Sequence, residues 1–280
     1  MSIDAHIESH LNCTVVSNPS LNCVKTSAFN VNMTDGKTLF AKYQETANNN
    51  LINQSIELTL LGESLTTPKV LDSCQHCLLL EWVETGNCEN HQHKIGLAMA
   101  NLHKQSNDVF GFEFDNTIGE MPQHNGTGEN ITSWRDFYWK HRLLFQIESS
   151  KQKQLINDSD YKCLLSIETV LDKLLSDSIT PSLLHGDLWS GNVIITIQGP
   201  VLIDSAAYYG HREADFALMF MFGGFGPEVF EAYNEVYPFD KGFDERKPLY
   251  MLYHYLNHLN IFGNGYHAGV MNCAKLILHA

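Results

Sequence analysis

The sequence predicts a two-lobed α+β chain, with a small N-terminal sheet lobe over residues 1–83 and a larger, mostly helical lobe over residues 84–280. Three observations carry this. A chain of 280 residues is longer than one core usually serves. The stretch up to Val83 reads as β-type runs around one helical pattern, and the remainder turns helical in period.

The elements follow in order. "TLFAKYQ", from Thr38, is a strand preceded by a turn at Asp35-Gly36, and a period of two puts Phe40 and Lys42 on one face. Asn48 to Asn50 read as a loop. "LINQSIELTLLGESL" spaces Leu51, Ile52, Ile56, Leu60 and Leu61 as a helix, with Glu57 beside the apolar stripe. "PKVLDSCQHCLLLEWVETG" reads as a hairpin that runs into a polar connector from Glu84 to His93. "HKIGLAMANLHKQS" puts Ile95, Ala98, Met99 and Leu102 on one helical face. A loop spans Phe110 to Asn130, and Ser133 then caps "SWRDFYWKHRLLFQIES", with Asp136 three residues on. "SDYKCLLSIETVLDKLLSD" and "PLYMLYHYLNHLNIF" complete the helical pattern.

Composition narrows the function. With 32 acidic against 18 basic residues the net charge is −14, which argues against nucleic acid and anionic membranes and is compatible with a cationic substrate. No apolar run approaches the roughly 18 residues of a membrane span. The start, "MSIDAHIESH", has neither the basic flank nor the apolar core of an export signal, so a cytoplasmic protein is expected. The seven scattered cysteines then read as reduced thiols. Cys74, Cys77, Cys88 and His91 could make a zinc quartet, but "CLLLEWV" reads as a buried strand that aims Cys77 into a core.

The chemistry concentrates between Leu183 and Asp215, in "LLHGDLWSGNVIITIQGPVLIDSAAYYGHREAD". Two apolar runs flank "QGP" as a hairpin, with Asn192 and Asp204 at its outer ends. An amide oxygen and a carboxylate held there suit Mg²⁺, which takes oxygen ligands and bound phosphate. Asp187, five residues before Asn192, sits in a turn where it can face an incoming hydroxyl.

This pattern resembles the catalytic loop of the protein-kinase-like fold, and its "HGD" form resembles the small-molecule branch that includes aminoglycoside phosphotransferases and choline kinases. Lys42 and Glu57 have the order and context of the strand lysine and helix glutamate that such folds use on ATP phosphates. "LLLEWVETG" resembles the hinge, where Glu81 C=O and Val83 N–H would meet the adenine edge. "LLHGDLWSGNV", "YYGHREADFALMFMFGGF", "LNHLNIFG", "GFDERKPLY" and the stretch holding "PQHNG" are more specific, and resemble the fructosamine kinase (ketosamine-3-kinase) family along essentially the whole chain from about Asn22.

The resemblance implies ATP- and Mg²⁺-dependent phosphorylation of the sugar 3-hydroxyl of a small or protein-bound ketosamine, a deglycation repair step. It implies Asp187 as proton acceptor, Asn192 and Asp204 as metal ligands, and Lys42 on the phosphates with Glu57 behind it. His185 and Asp215 would brace the loop. Trp189 could cover a sugar face or fill the core. Two departures stand out. Relatives usually carry Pro-Ala after the metal aspartate, where this chain has Ser205-Ala206. The segment expected to cover the phosphates, "SNPSLNCVKTSAFNV", has no glycine, and its Cys23, near Lys25, is a candidate redox thiol. A kinase of another small hydroxyl compound, or a nucleotide-binding scaffold without catalysis, are the alternatives. A monomer is slightly favoured.

Overall fold

A computed structural model describes residues 27–176 and 178–280, together with 8, 15–17 and 20–21. Residues 18–19 and 22–26 of the expected phosphate cover, Cys23 and Lys25 among them, lie outside the described residues. The chain separates into two compact units. One holds the described residues up to His91 together with Val193–Ser205, and the other holds Gln92–Asn192 and Ala206–Ala280.

The first unit is an antiparallel sheet. Its strands are β1 (Val15–Ser17), β2 (Ser20–Leu21), β3 (Ser27–Met33), β4 (Thr38–Tyr43), β5 (Val70–Ser73) and β6 (Cys77–Glu81). They run in the order β1-β3-β4-β6-β5, with β2 also pairing β3. Gly36, at φ +83°, makes the β3–β4 turn. Alternation splits β4 between two layers. Leu39 and Ala41 are buried with Phe29, Val31, Met33, Cys77 and Leu79. Phe40 packs instead with Leu78, Leu80 and the Leu51 and Leu58 side chains of helix α1 (Asn50–Leu61).

The inward face of α1 is rotated from the expected one. Leu51, Ser55, Leu58 and Leu61 are buried and Glu57 with them, whereas Ile56 is 44% exposed. Spacing of seven and ten residues from Leu51 selects the Leu58–Leu61 face, and that rotation carries Glu57 inward. Cys77 lies in the sheet core, where burial pushes its thiol up to about 12, and Cys88 gives its thiol to Glu89 O. A hairpin of β10 (Val193–Ile195) and β11 (Pro200–Leu202), in register Val193↔Leu202, completes this unit. Leu202 N–H donates to Thr66 O, and Gly86 N–H, just past the expected hinge, donates to Ile195 O.

The second unit is helical. It comprises α2 (His91–Leu102), α3 (Trp134–Tyr138), α4 (Phe145–Gln152), α5 (Asp158–Ser166), α6 (Leu171–Leu174), α7 (Ala217–Phe222), α8 (Pro227–Val236), α9 (Phe243–Phe262) and α10 (His267–His279). Ser133 caps α3 as expected, accepting from Asp136 N–H, and a π-helical turn over Trp139–Leu144 joins α3 to α4. Trp134, Phe137, Leu143, Leu249, Tyr253 and Leu256 are among the residues of one large core. Two strand pairs sit in this unit: β7 (Asn116–Ile118) with β8 (Met121–Gln123), and β9 (Ser182–Leu184) with β12 (Tyr208–Gly210). The register Leu184↔Tyr208 presents the "HGD" turn directly off the end of β9.

Candidate active site

Each unit carries part of the predicted set. In the first, Lys42 pairs with Leu78 across the sheet and lies on the face covered by α1. Its Nζ donates to Gln54 Oε1 at 3.1 Å and to Asp204 Oδ1 at 2.5 Å. The lysine side chain is nearly buried and the aspartate is half exposed. Glu57, one helical turn past Gln54, accepts from Ser205 Oγ at 3.0 Å. The expected Lys42–Glu57 pair is not among the ion pairs of the described residues: the ammonium meets Asp204, and Gln54 supplies the contact from α1. Asp204 has φ +53°, a left-handed conformation tolerated by Asp at modest cost.

The expected hinge residue Glu81 ends β6. Its N–H donates to Lys69 O and its carboxylate accepts from Lys69 N–H. Val83 follows two residues on, outside any helix or strand.

In the second unit the turn His185-Gly186-Asp187 is held from below. Asp215 Oδ2 accepts from His185 N–H and Oδ1 from Gly186 N–H, both at 2.7 Å. His103 Nε2 meets Asp215 Oδ2 at 3.1 Å, and its Nδ1 lies 2.8 Å from the Tyr233 hydroxyl. Arg212 donates to that hydroxyl at 3.2 Å. Arginine only donates, so donation runs in one direction, from Arg212 through Tyr233 and His103 to the carboxylate. Burial pushes the His103 imidazolium down against the pull of Asp215, so the ring is neutral with its proton on Nε2. Burial alone would raise the Asp215 carboxyl. The hydrogen bond from His103, with the nearby His185 and the Gly186 N–H, outweighs it and holds the carboxyl low.

Asn192, in a 3₁₀ turn over Ser190–Asn192, donates through Nδ2 to Asp187 O at 2.8 Å and to Asp187 Oδ2 at 3.1 Å. The amide nitrogen thereby fixes the aspartate, and the remaining donor atom of Asn192 is an amide oxygen. In the first unit Asp204 offers a carboxylate oxygen beside the Lys42 ammonium, and in the second Asn192 offers an amide oxygen. Hard oxygens of this kind suit Mg²⁺, and a fixed cation suits phosphate.

Trp189 is not a core residue. It is 41% exposed, and its ring lies over Gly191, where a Cβ would come within 2.2 Å. Phe222 lies 6.2 Å from it, centroid to centroid, and His258 lies 5.1 Å from Phe222. Elsewhere, His211, Glu213 and Asp240 bring potential ligand atoms within 4.8 Å. Arg246 already engages both oxygens of Glu213, and Arg212 engages Asp240, so that cluster is neutralised internally. The sequence reading missed Gln54, His103 and Tyr233. Of these, only His103 carried a hint, as a histidine ending an otherwise apolar helix face.

A sequence model of the fructosamine kinase family matches residues 4–280. A probable ketoamine kinase of Enterococcus faecium is 44% identical over 191 residues, 68% of this chain and 67% of that protein. A chloroplastic protein-ribulosamine 3-kinase of Oryza sativa is 40% identical over 201 residues, 70% of this chain and 57% of that one. The chain therefore matches little more than half the length of the rice relative. Among solved structures, a candidate fructosamine-3-kinase of Thermobifida fusca superposes with a TM-score of 0.91 at 29% identity, covering 100% of this chain and 99% of the other. An ADP-bound aminoglycoside phosphotransferase gives 0.65 at 13% identity, covering 97% and 96% respectively, a likeness of fold alone.

Proposed function

The chain belongs to the fructosamine kinase family, and we propose that it phosphorylates the sugar 3-hydroxyl of a ketosamine, using ATP and Mg²⁺, as a deglycation repair enzyme of the cytoplasm. The observation that carries this reading is the clamped "HGD" turn. A buried Asp215 holds both preceding N–H groups, and Asn192 holds Asp187 itself, so one carboxylate is presented in a fixed pose.

Residues 1–83 act as the nucleotide lobe and residues 84–280 as the catalytic and substrate lobe. Asp187 accepts or orients the proton of the attacking hydroxyl. Asn192 and Asp204 hold Mg²⁺, which when bound screens phosphate charge. Lys42 anchors the phosphates, with Glu57 and Gln54 shaping its surroundings. Glu81 C=O and Val83 N–H meet the adenine edge. Trp189, exposed two residues after Asp187, packs against the sugar's C–H face. Among the described residues no helix is long and apolar enough to cross a membrane. The names of the two relatives, a ketoamine kinase and a protein-ribulosamine 3-kinase, support the substrate class.

The test is ATP consumption over fructosamines, ribulosamines, aminoglycosides and choline, with and without Mg²⁺, with the phosphate position read by NMR. The expected result is 3-phosphorylation of a ketosamine with little turnover of the others, since a site built to hydrogen-bond hydroxyls can reject analogues lacking them by up to about 10⁴. Higher kcat/KM on choline or an aminoglycoside than on any ketosamine overturns the substrate. No turnover of any acceptor favours the scaffold.

A further inference from the structure

The motif Pro122-Gln123-His124-Asn125-Gly126 has no part in the chemistry proposed above, yet it is built at considerable cost. Asn116, Gln123, Asn125 and Arg142 are all buried. Buried polar side chains are costly unless fully paired, and an apolar set would pack a β-hairpin as well.

Their hydrogen bonds converge on one place. Gln123 Oε1 accepts from Tyr253 Oη at 3.0 Å, and Gln123 Nε2 donates to Asn116 Oδ1 at 2.9 Å and to Ala206 O at 3.0 Å. Asn116 Nδ2 donates to Ala207 O at 3.0 Å. Asn125 Nδ2 donates to Asn116 Oδ1, and Asn125 Oδ1 accepts from Arg142 at 2.7 Å. The guanidinium of Arg142 lies 4.1 Å from the Tyr208 ring centroid. The network thus ends on two successive backbone carbonyls, those of Ala206 and Ala207.

Ala206 is the other wall of the catalytic turn. Its N–H donates to His185 O at 2.9 Å, and its carbonyl oxygen stands 2.0 Å from where a Cβ on Gly186 would lie. Asp215 grips the turn by its N–H groups, and Ala206 grips it by a carbonyl and by contact. The Asp215 grip was expected from sequence. The contact in this second grip depends on the orientation of the peptide that carries Ala206 O, which Gln123 holds by its hydrogen bond.

We infer that Gln123 is a positioning residue for the phosphoryl transfer: by orienting the Ala206 peptide it sets where Asp187 stands. The inference rests on the kinase reading for its kinetic arm but not for its structural one. In the full chain, Gln123→Met keeps the volume and removes all three hydrogen bonds. We expect kcat to fall roughly 10- to 100-fold, the scale of a slight misplacement of a reacting group, with KM for ATP changed less than about twofold.

The decisive readout is non-additivity. In an Asp187→Ala background, Gln123→Met should lower the residual rate no further, because it acts through that carboxylate. Multiplying effects would make Gln123 merely structural and overturn the proposal. Tyr253→Phe, which removes only the donor to Gln123 Oε1, should repeat the pattern with a smaller fall, and it carries the test if Gln123→Met does not fold. A crystal structure of the same variant should show the Ala206 peptide and the 185–187 turn displaced together, and an unmoved turn overturns the proposal. If the substrate panel finds no acceptor, the function proposed above fails while this structural comparison still decides the role of Gln123.

Discussion

Gly186 stands at φ +82°, and any Cβ there would strike Ala206 O, so the turn before Asp187 admits no side chain on two independent grounds. Gly186→Ala is expected to shift the turn and lower kcat nearly as far as loss of Asp187 itself. Asp187→Ala should leave the thermal melt intact and lower turnover by roughly 10²–10⁴. Near-normal turnover in either folded variant would remove that residue from the mechanism. At this scale the residue types with a local signature were legible: Asp187, Asn192 and Asp204 stand within one motif. Their partners were not, because the pairs span the chain. Lys42 and Asp204 are 162 residues apart, and Glu57 and Ser205 are 148 apart. Ser205, a departure from the usual Pro-Ala pattern, finds its reason only in the fold: its hydroxyl satisfies a buried glutamate.

Elements were legible wherever one period dominated. Strand β4, helix α1, the β5–β6 and β10–β11 hairpins and the Ser133 cap all follow from alternation, helical spacing or turn residues. What failed was orientation and continuity. Five apolar residues on α1 left its inward face open to more than one choice, and core packing chose the Leu51–Leu58–Leu61 face. The helix predicted from "SDYKCLLSIETVLDKLLSD" breaks into α5, a 3₁₀ turn over Ile167–Val170 and α6, and no Gly or Pro marks the breaks. The strand pairs β7–β8 and β9–β12, three residues per strand, are too short to show a period. The β10–β11 hairpin tests its proposed role through its last residues. Asp204→Asn removes a full charge from the proposed metal site and from Lys42. We expect the Mg²⁺ concentration for half-maximal activity to rise at least the roughly 10- to 100-fold that loss of a ligand's supporting partner costs. Asn192→Ala should shift it the same way but less. Unchanged Mg²⁺ titrations in both would place the metal elsewhere.

Across the whole molecule, the division into a sheet unit and a helical unit was visible in the change of period, while the grouping of Val193–Ser205 with the first unit was not, since it depends on contacts made by Thr66 and Gly86. The helical unit also stores a pH dependence that composition does not reveal. His103, His211 and His254 are buried, and burial pushes each imidazolium down, His254 to about 3. A histidine whose folded pKa is depressed binds fewer protons folded than unfolded between that value and the ordinary value near 6.5. Its contribution to stability is therefore complete above about pH 6.5 and is lost as pH falls, by up to ~1.4 kcal/mol per pH unit for each such group. Falling pH also reduces the net charge of −14 and relieves self-repulsion, which acts in the opposite sense. The two effects separate by mutation. His254 is pushed down to about 3, and among the described residues its Nδ1 has no hydrogen-bond partner. The urea midpoint of the parent chain should fall between pH 7 and pH 5. In His254→Gln, which cannot titrate, the fall should be smaller, whatever the variant's stability at pH 7. Equal falls in both proteins would show that His254 takes no part in acid destabilisation and would leave His103 and His211 to account for it.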